Sequence, residues 1–252
     1  MIGHTVIGRG NRRVLVLHGW LGDWTVFAPM LPALDLDRFC FAFMDYRGFG
    51  RSIDIEGEYS LVEIARDALS LADHLGWQQF SLLGHSMGGA AALRVAVDAR
   101  SRVQKIVAAT PVPASGMPLD SGARALFESA AQKLDARQAI IDFTTGGRHC
   151  HAWSQQLASH SWNNSKPDAF AAYFKAWSGA RFAEKARGIT IPMLVLIGEH
   201  DGGVTEAAMR ATYLADYPDC RLKVLTNSGH YPMQEIPVAF ATEVQEFLDP
   251  VH

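Results

Sequence analysis

Ser86 sits in Gly84-His85-Ser86-Met87-Gly88, between the apolar run FSLL (Phe80 to Leu83) and a run of small residues. An alcohol oxygen alone is a poor nucleophile; it needs a base to take its proton and a carboxylate to orient that base. The chain offers both. Asp201 follows MLVLIG within Glu199-His200-Asp201-Gly202-Gly203, and His230 follows RLKVLTNSG. Singly, Asp201 reads as a turn residue or helix cap and His230 as an ordinary satisfied histidine. What joins them to Ser86 is their order, serine then aspartate then histidine, each after an apolar run of strand length, with the serine in a G-x-S-x-G frame between strand and helix. The frame has a physical reason. A serine on so sharp a turn adopts a strained backbone, and side chains at Gly84 and Gly88 would collide across it.

Attack on a carbonyl leaves negative charge on its oxygen, which two converging backbone N–H groups can stabilise. Met87, directly after the serine, supplies one. The loop after VLVL, His18-Gly19-Trp20-Leu21-Gly22, supplies the other through Trp20. His18 reads as a loop brace, since His230 already fills the role of base. Asp45, in DYRGFGRS, follows an early strand and reads as a turn-stabilising residue.

The elements that must position these groups alternate along the chain. VLVL (Val14 to Leu17), FCFAFM (Phe39 to Met44), FSLL, VQKIVAA (Val103 to Ala109), MLVLI (Met193 to Ile197) and RLKVL (Arg221 to Leu225) are near-continuous apolar segments, predicting six buried strands. Ser60 and Glu63 form a capping-box pattern ahead of apolar residues at helical spacing, and Gly76 stops that helix. Further helices are predicted after Ser86 to about Ala99, over Thr205 to Asp216, and from Pro237, with Phe240, Val244, Phe247 and Leu248 on one stripe. Such alternation implies a mostly parallel, doubly wound sheet, with functional loops at the carboxyl ends of its strands. The rhythm breaks over residues 112–187, which are Ala-rich and studded with Trp153, Trp162, Tyr173, Phe174 and Trp177. This stretch reads as a helical insertion into a core formed by residues 1–111 and 188–252. Its aromatic residues suggest an apolar substrate, and Trp153, Trp177 and Tyr231 are the expected pocket residues.

The composition excludes several other classes. At 252 residues, 48% hydrophobic and 19% charged, the chain suits one α/β domain with an insertion. A net charge of −3, with both signs mixed, leaves no footprint for nucleic acid or an anionic membrane. No signal-peptide pattern or membrane-spanning run is expected. Cys40, Cys150 and Cys220 have no paired spacing, and a reducing, cytoplasmic setting follows as the expectation. His149-Cys150-His151, with His160, lacks a second ligand cluster, so no metal is expected and the chemistry calls for no cofactor.

HGWLG, DYRGFGRS, GHSMGG, GEHDGG and GHYPMQEIP together make the chain resemble the α/β-hydrolase fold family over nearly its whole length. The resemblance implies an eight-stranded sheet, a lid after the sixth family strand, and a serine-hydrolase mechanism. Ser86, Asp201, His230, Trp20 and Met87 stand where the family's motifs carry these roles. Two departures matter. Only TVIG precedes VLVL, so the first hairpin of the family is shortened and the count falls to seven or eight strands. Some relatives carry the acid after the preceding strand, where Ala109-Thr110-Pro111-Val112 offers no carboxylate; this favours Asp201. A serine nucleophile separates the chain from relatives that use aspartate, the haloalkane dehalogenases and epoxide hydrolases. The expected activity is hydrolysis of a small apolar ester, lactone or thioester by water. Carbon–carbon bond hydrolysis and a triad-retaining small-ligand receptor are the alternatives, and the sequence leaves the substrate and oligomeric state open.

Overall fold

The computed structural model describes residues 1–249, leaving the last three outside the described residues. Seven strands form one sheet: β1 (His4–Gly8), β2 (Arg12–Leu17), β3 (Phe39–Met44), β4 (Phe80–His85), β5 (Val103–Ala109), β6 (Met193–Gly198) and β7 (Cys220–Leu225). Their order is β1-β3-β2-β4-β5-β6-β7. β1 runs antiparallel to β3, pairing His4 with Met44 through Gly8 with Cys40. The other neighbours are parallel. The six expected strands are all present, and TVIG lies within β1, which pairs with β3 at the edge of the sheet.

Alternate residues of each central strand feed opposite cores. In β2, Leu15 and Leu17 pack with α1 (Leu61–His74) and α2 (Met87–Asp98), whereas Val14 and Val16 pack with Phe27, Met30 and Phe240 of α10 (Pro237–Leu248). Burial on both faces explains why these strands read as continuous apolar runs. α1 begins as expected, with Ser60 Oγ accepting from Glu63 N–H at 3.1 Å. The reciprocal bonds differ: the Glu63 carboxylate accepts from Tyr59 and Glu58 N–H rather than from Ser60, because Tyr59 has positive φ and turns those amides toward it. At the other end, Gly76 N–H donates to Asp73 O and Trp77 N–H to Ala72 O, with Gly76 at φ +68°. This is the glycine stop the sequence implied.

Between β5 and β6 lie five helices: α3 (Ser121–Ser129), α4 (Leu134–Thr144), α5 (His151–Asn163), α6 (Pro167–Ser178) and α7 (Ala183–Ala186). Arg137 organises them from inside. It donates to Ala130 O, Ser161 Oγ and Ser165 Oγ and lies 3.6 Å from the Phe170 ring centroid. Burial lowers its pKa to about 10. The α5–α6 junction is tied to the Asp45–Ser52 loop by Gly50 N–H to Asn164 O and Lys166 N–H to Gly48 O.

The segment expected as one helix over Thr205 to Asp216 starts as α8 (Glu206–Met209) and then widens into a π turn over Arg210–Leu214. The wider turn seats Tyr213 in the core, its hydroxyl donating to Val112 O. A short helix not read from the sequence, α9 (Pro232–Glu235), follows His230. No described helix is long and apolar enough to cross a membrane.

Candidate active site

Ser86 joins β4 to α2 with φ 54° and ψ −117°. Strain of this kind costs about 1–3 kcal/mol and persists only when its surroundings over-determine it. Here Ser86 N–H donates to Ala109 O, and its carbonyl accepts from Gly89 and Val112 N–H, so β5 and α2 grip both sides. A Cβ on Gly84 would lie 2.2 Å from Gly88 O, the collision expected across the turn. The reason at Gly88 is different: its Cβ would meet Leu17 O at the end of β2, also at 2.2 Å. That glycine lets α2 approach the neighbouring strand.

The turn aims Ser86 Oγ at His230. His230 Nε2 is 2.9 Å from Oγ, and its Nδ1 is 2.7 Å from Asp201 Oδ2. With Nδ1–H donating to the carboxylate, Nε2 is the acceptor for the serine proton. Asp201 divides its oxygens: Oδ2 faces His230, while Oδ1 accepts from Gly203 and Val204 N–H at 2.8 and 3.0 Å. These contacts fix the carboxylate at the end of β6.

The backbone around His230 is held more tightly than the sequence indicated. The buried Glu235 carboxylate accepts from Gly229 N–H (2.8 Å) and Tyr231 N–H (2.9 Å), the amides on either side of His230. Arg148 and His149 close the same carboxylate from the α4–α5 turn, at 2.9 and 2.8 Å. His230 N–H donates to Thr144 O, and its carbonyl accepts from His85 Nε2 (2.8 Å) and Thr110 Oγ1 (3.1 Å). Burial, then the neighbouring His230, pushes the His85 pKa well down and keeps that ring neutral. Thr110, at φ 42°, stands at the β5 position that lacked a carboxylate and braces the histidine loop instead. Glu235, His85 and Thr110 went unread as site residues. The available signals were an acid one turn after His230 beside Pro232 and a polar residue at a strand end, both of which also fit ordinary capping.

Trp20 lines the cavity beside Ser86, and Met87 directly follows the serine. Met87 is the first residue of α2, so its N–H has no intrahelical acceptor. Among the described residues, neither its N–H nor that of Trp20 donates to a protein acceptor. Below them, His18 stacks on Tyr46 at 3.9 Å, donates through Nδ1 to Gly19 O and accepts Tyr46 N–H at Nε2. Burial lowers its pKa, so it remains neutral. Asp45 accepts from Trp24 and Arg51 N–H and closes its turn.

A narrow cavity of about 50 Å³ opens beside Ser86 and His230. Trp20, Leu21, Val112, Met117, Phe127, Ile140, Trp177, Val204 and Tyr231 line it. Trp153 does not. It rests on His149 at 4.3 Å, sits edge-on behind Tyr231 at 6.2 Å, and borders a separate groove of about 300 Å³ with Thr25, His160 and Gln234. The placement of α5 puts Trp153 one layer behind the cavity wall, and nothing in its local sequence states that. The histidines of the Cys150 region turn to separate partners: His149 to Glu235, His151 to Gln138, and His160 to Asp23.

Fold and site geometry together define an α/β-hydrolase. Residues 12–235 match the family model for the alpha/beta hydrolase fold, and the protein belongs to that family. The chain is similar to a non-heme haloperoxidase of Rhodococcus erythropolis, 27% identical over 87% of this chain and 86% of that one. It is also similar to a pimeloyl-[acyl-carrier protein] methyl ester esterase of Legionella pneumophila, 25% identical over 96% of both chains. Among solved structures, the esterase EaEST of Exiguobacterium antarcticum shares the fold with a TM-score of 0.88, at 21% identity over 98% of this chain and 95% of that one.

Proposed function

We propose that this protein is a serine hydrolase that cleaves small carboxylic esters or related acyl substrates, lactones and thioesters among them, through an acyl-enzyme on Ser86. The observation that carries the reading is the continuous relay from Ser86 Oγ to His230 (2.9 Å) and from His230 to Asp201 (2.7 Å). His230 takes the serine proton as Oγ attacks, then returns it to the leaving alcohol, and Asp201 holds the ring and stabilises the imidazolium. Trp20 and Met87 N–H stabilise the oxyanion. Water then attacks the acyl-enzyme with His230 again as base. Residues 112–187 act as a lid over the core formed by residues 1–111 and 188–252. Their apolar side chains exclude bulk water and select a short acyl group. The cysteines are unpaired, in keeping with a cytoplasmic enzyme.

The test is Ser86→Ala in purified protein. It is expected to remove nearly all ester hydrolysis, on the order of 10⁶ in kcat, with an unchanged melting profile. A fluorophosphonate should label the native protein at Ser86 and not the variant. Hydrolysis persisting in Ser86→Ala would sink the assignment. Cleavage confined to a carbon–carbon substrate would move the reaction class, and tight ligand binding without turnover would favour a receptor.

A further inference from the structure

Two hollows meet at Leu21. One is the cavity of about 50 Å³ beside Ser86 and His230; the other is the groove of about 300 Å³ between residues 24–33 and α5. Among the described residues, Leu21 alone lines both, and it packs against both hydrophobic cores. At Leu21 the boundary is therefore a single half-buried side chain. Nearby it is two side chains thick: Tyr231 lines the cavity, Trp153 lines the groove, and their rings meet edge-on at 6.2 Å. Val26, Pro29, Trp153 and Leu157 give the groove apolar walls, and exposed Gln156 of α5 stands on its lining.

Resting on the acyl-hydrolase reading, we infer that Leu21 is a specificity-determining residue: a partition that holds the acyl site to a few heavy atoms by closing it off from the groove. The substrate class is then a short-chain acyl ester, whose chain ends at Leu21 and does not enter the groove. Leucine suits the position because it fills the gap without a polar group that would need a partner. Large-to-small changes in a packed core leave a cavity that neighbours only partly refill. Here space already lies on both sides, so shortening this one side chain joins the two hollows, whereas shortening Trp153 leaves Tyr231 in place between them.

The test is a series of p-nitrophenyl esters from acetate to decanoate. Wild-type kcat/KM should be highest for the short members and fall steeply by octanoate. Leu21→Ala should raise the octanoate-to-acetate ratio by about tenfold or more, and the milder Leu21→Val should raise it less. Gln156→Trp, which narrows the groove from the exposed side of α5, should leave the wild-type ratio unchanged and remove most of the gain when combined with Leu21→Ala. A ratio that stays at the wild-type value in both Leu21 variants, with acetate still hydrolysed, overturns the inference. So does a gain that survives Gln156→Trp, since the longer chain would then run elsewhere, and so does a wild-type protein that cleaves octanoate as well as acetate. These outcomes leave the hydrolase reading standing. Failure to hydrolyse any ester of the series, with no fluorophosphonate labelling of Ser86, overturns both.

Discussion

The histidine loop and the cavity wall lie side by side and are built on opposite principles. Around His230, its own N–H and carbonyl and the amides on both sides all have a named partner, from β4, the residue after β5, α4 and α9. The cavity wall is mostly apolar packing among residues drawn from distant parts of the chain. Directional bonds fix a proton-transfer distance to a fraction of an ångström, which acyl chemistry requires. Apolar contacts fix only shape and volume, which is what substrate choice requires, and they accept substitution with graded effects.

That contrast can be broken at several levels. Asp201→Asn should have the largest effect after loss of Ser86 itself, about 10⁴ in kcat, because the amide favours the wrong tautomer of His230. The melting temperature should move little; a large drop beside a small loss of kcat would make Asp201 a structural cap. Glu235→Gln comes next. It keeps the shape but cannot serve two amides, Arg148 and His149 together, so kcat should fall by roughly tenfold to a hundredfold with KM nearly constant. Equal changes in kcat and KM would show that the loop does not position His230. On the apolar side, Phe127→Ala should enlarge the cavity and shift preference toward longer acyl chains, by about 1–3 kcal/mol per methylene-sized contact. Trp153→Ala, one layer behind the wall, should leave the ratios between short and long esters nearly unchanged. A chain-length profile measured on both variants separates wall from backing.

The smallest effect concerns the tie between α5 and the core. His160 Nε2 is 2.9 Å from Asp23 Oδ2, and that bond raises the His160 pKa. Burial pushes Asp23 upward, but hydrogen bonds from His160 and Thr25 outweigh it and hold the carboxyl at about 2. The aspartate contribution to stability is present above its unfolded pKa of about 3.9 and is lost as pH falls through its folded value. The histidine contribution is complete below about 6.5 and is lost as pH rises through its raised folded value. The melting-temperature gap between wild type and His160→Gln should therefore be widest near pH 5 to 6 and narrow in alkali. His160 is partly exposed, so the gap should amount to about 0.5 kcal/mol, or one to two degrees. A gap that widened with pH would contradict the ion pair.

Much of this molecule was legible in residue order. Strand runs buried on both faces announce themselves, and a serine held between glycines at a strand end is hard to reconcile with packing alone. Trp153 and Glu235 mark where legibility stopped. Both lie on short or evenly mixed segments whose local pattern fits capping or helix packing equally well. Their actual neighbours, Tyr231 for one and Gly229, Arg148 and His149 for the other, are set by how α5 and α9 pack onto distant elements.

By itself, then, the sequence determined the alternation of strands and helices, the strand-free helical stretch after β5, and the order of Ser86, Asp201 and His230, since hydrophobic period and turn chemistry are local properties of a chain. Only the tertiary structure decided which aromatic residues reach the cavity, and that one buried carboxylate clamps the histidine loop to the α4–α5 turn. Those outcomes depend on contacts between residues separated by as many as 150 positions, as between Trp20 and Phe170, and no local pattern encodes such distances.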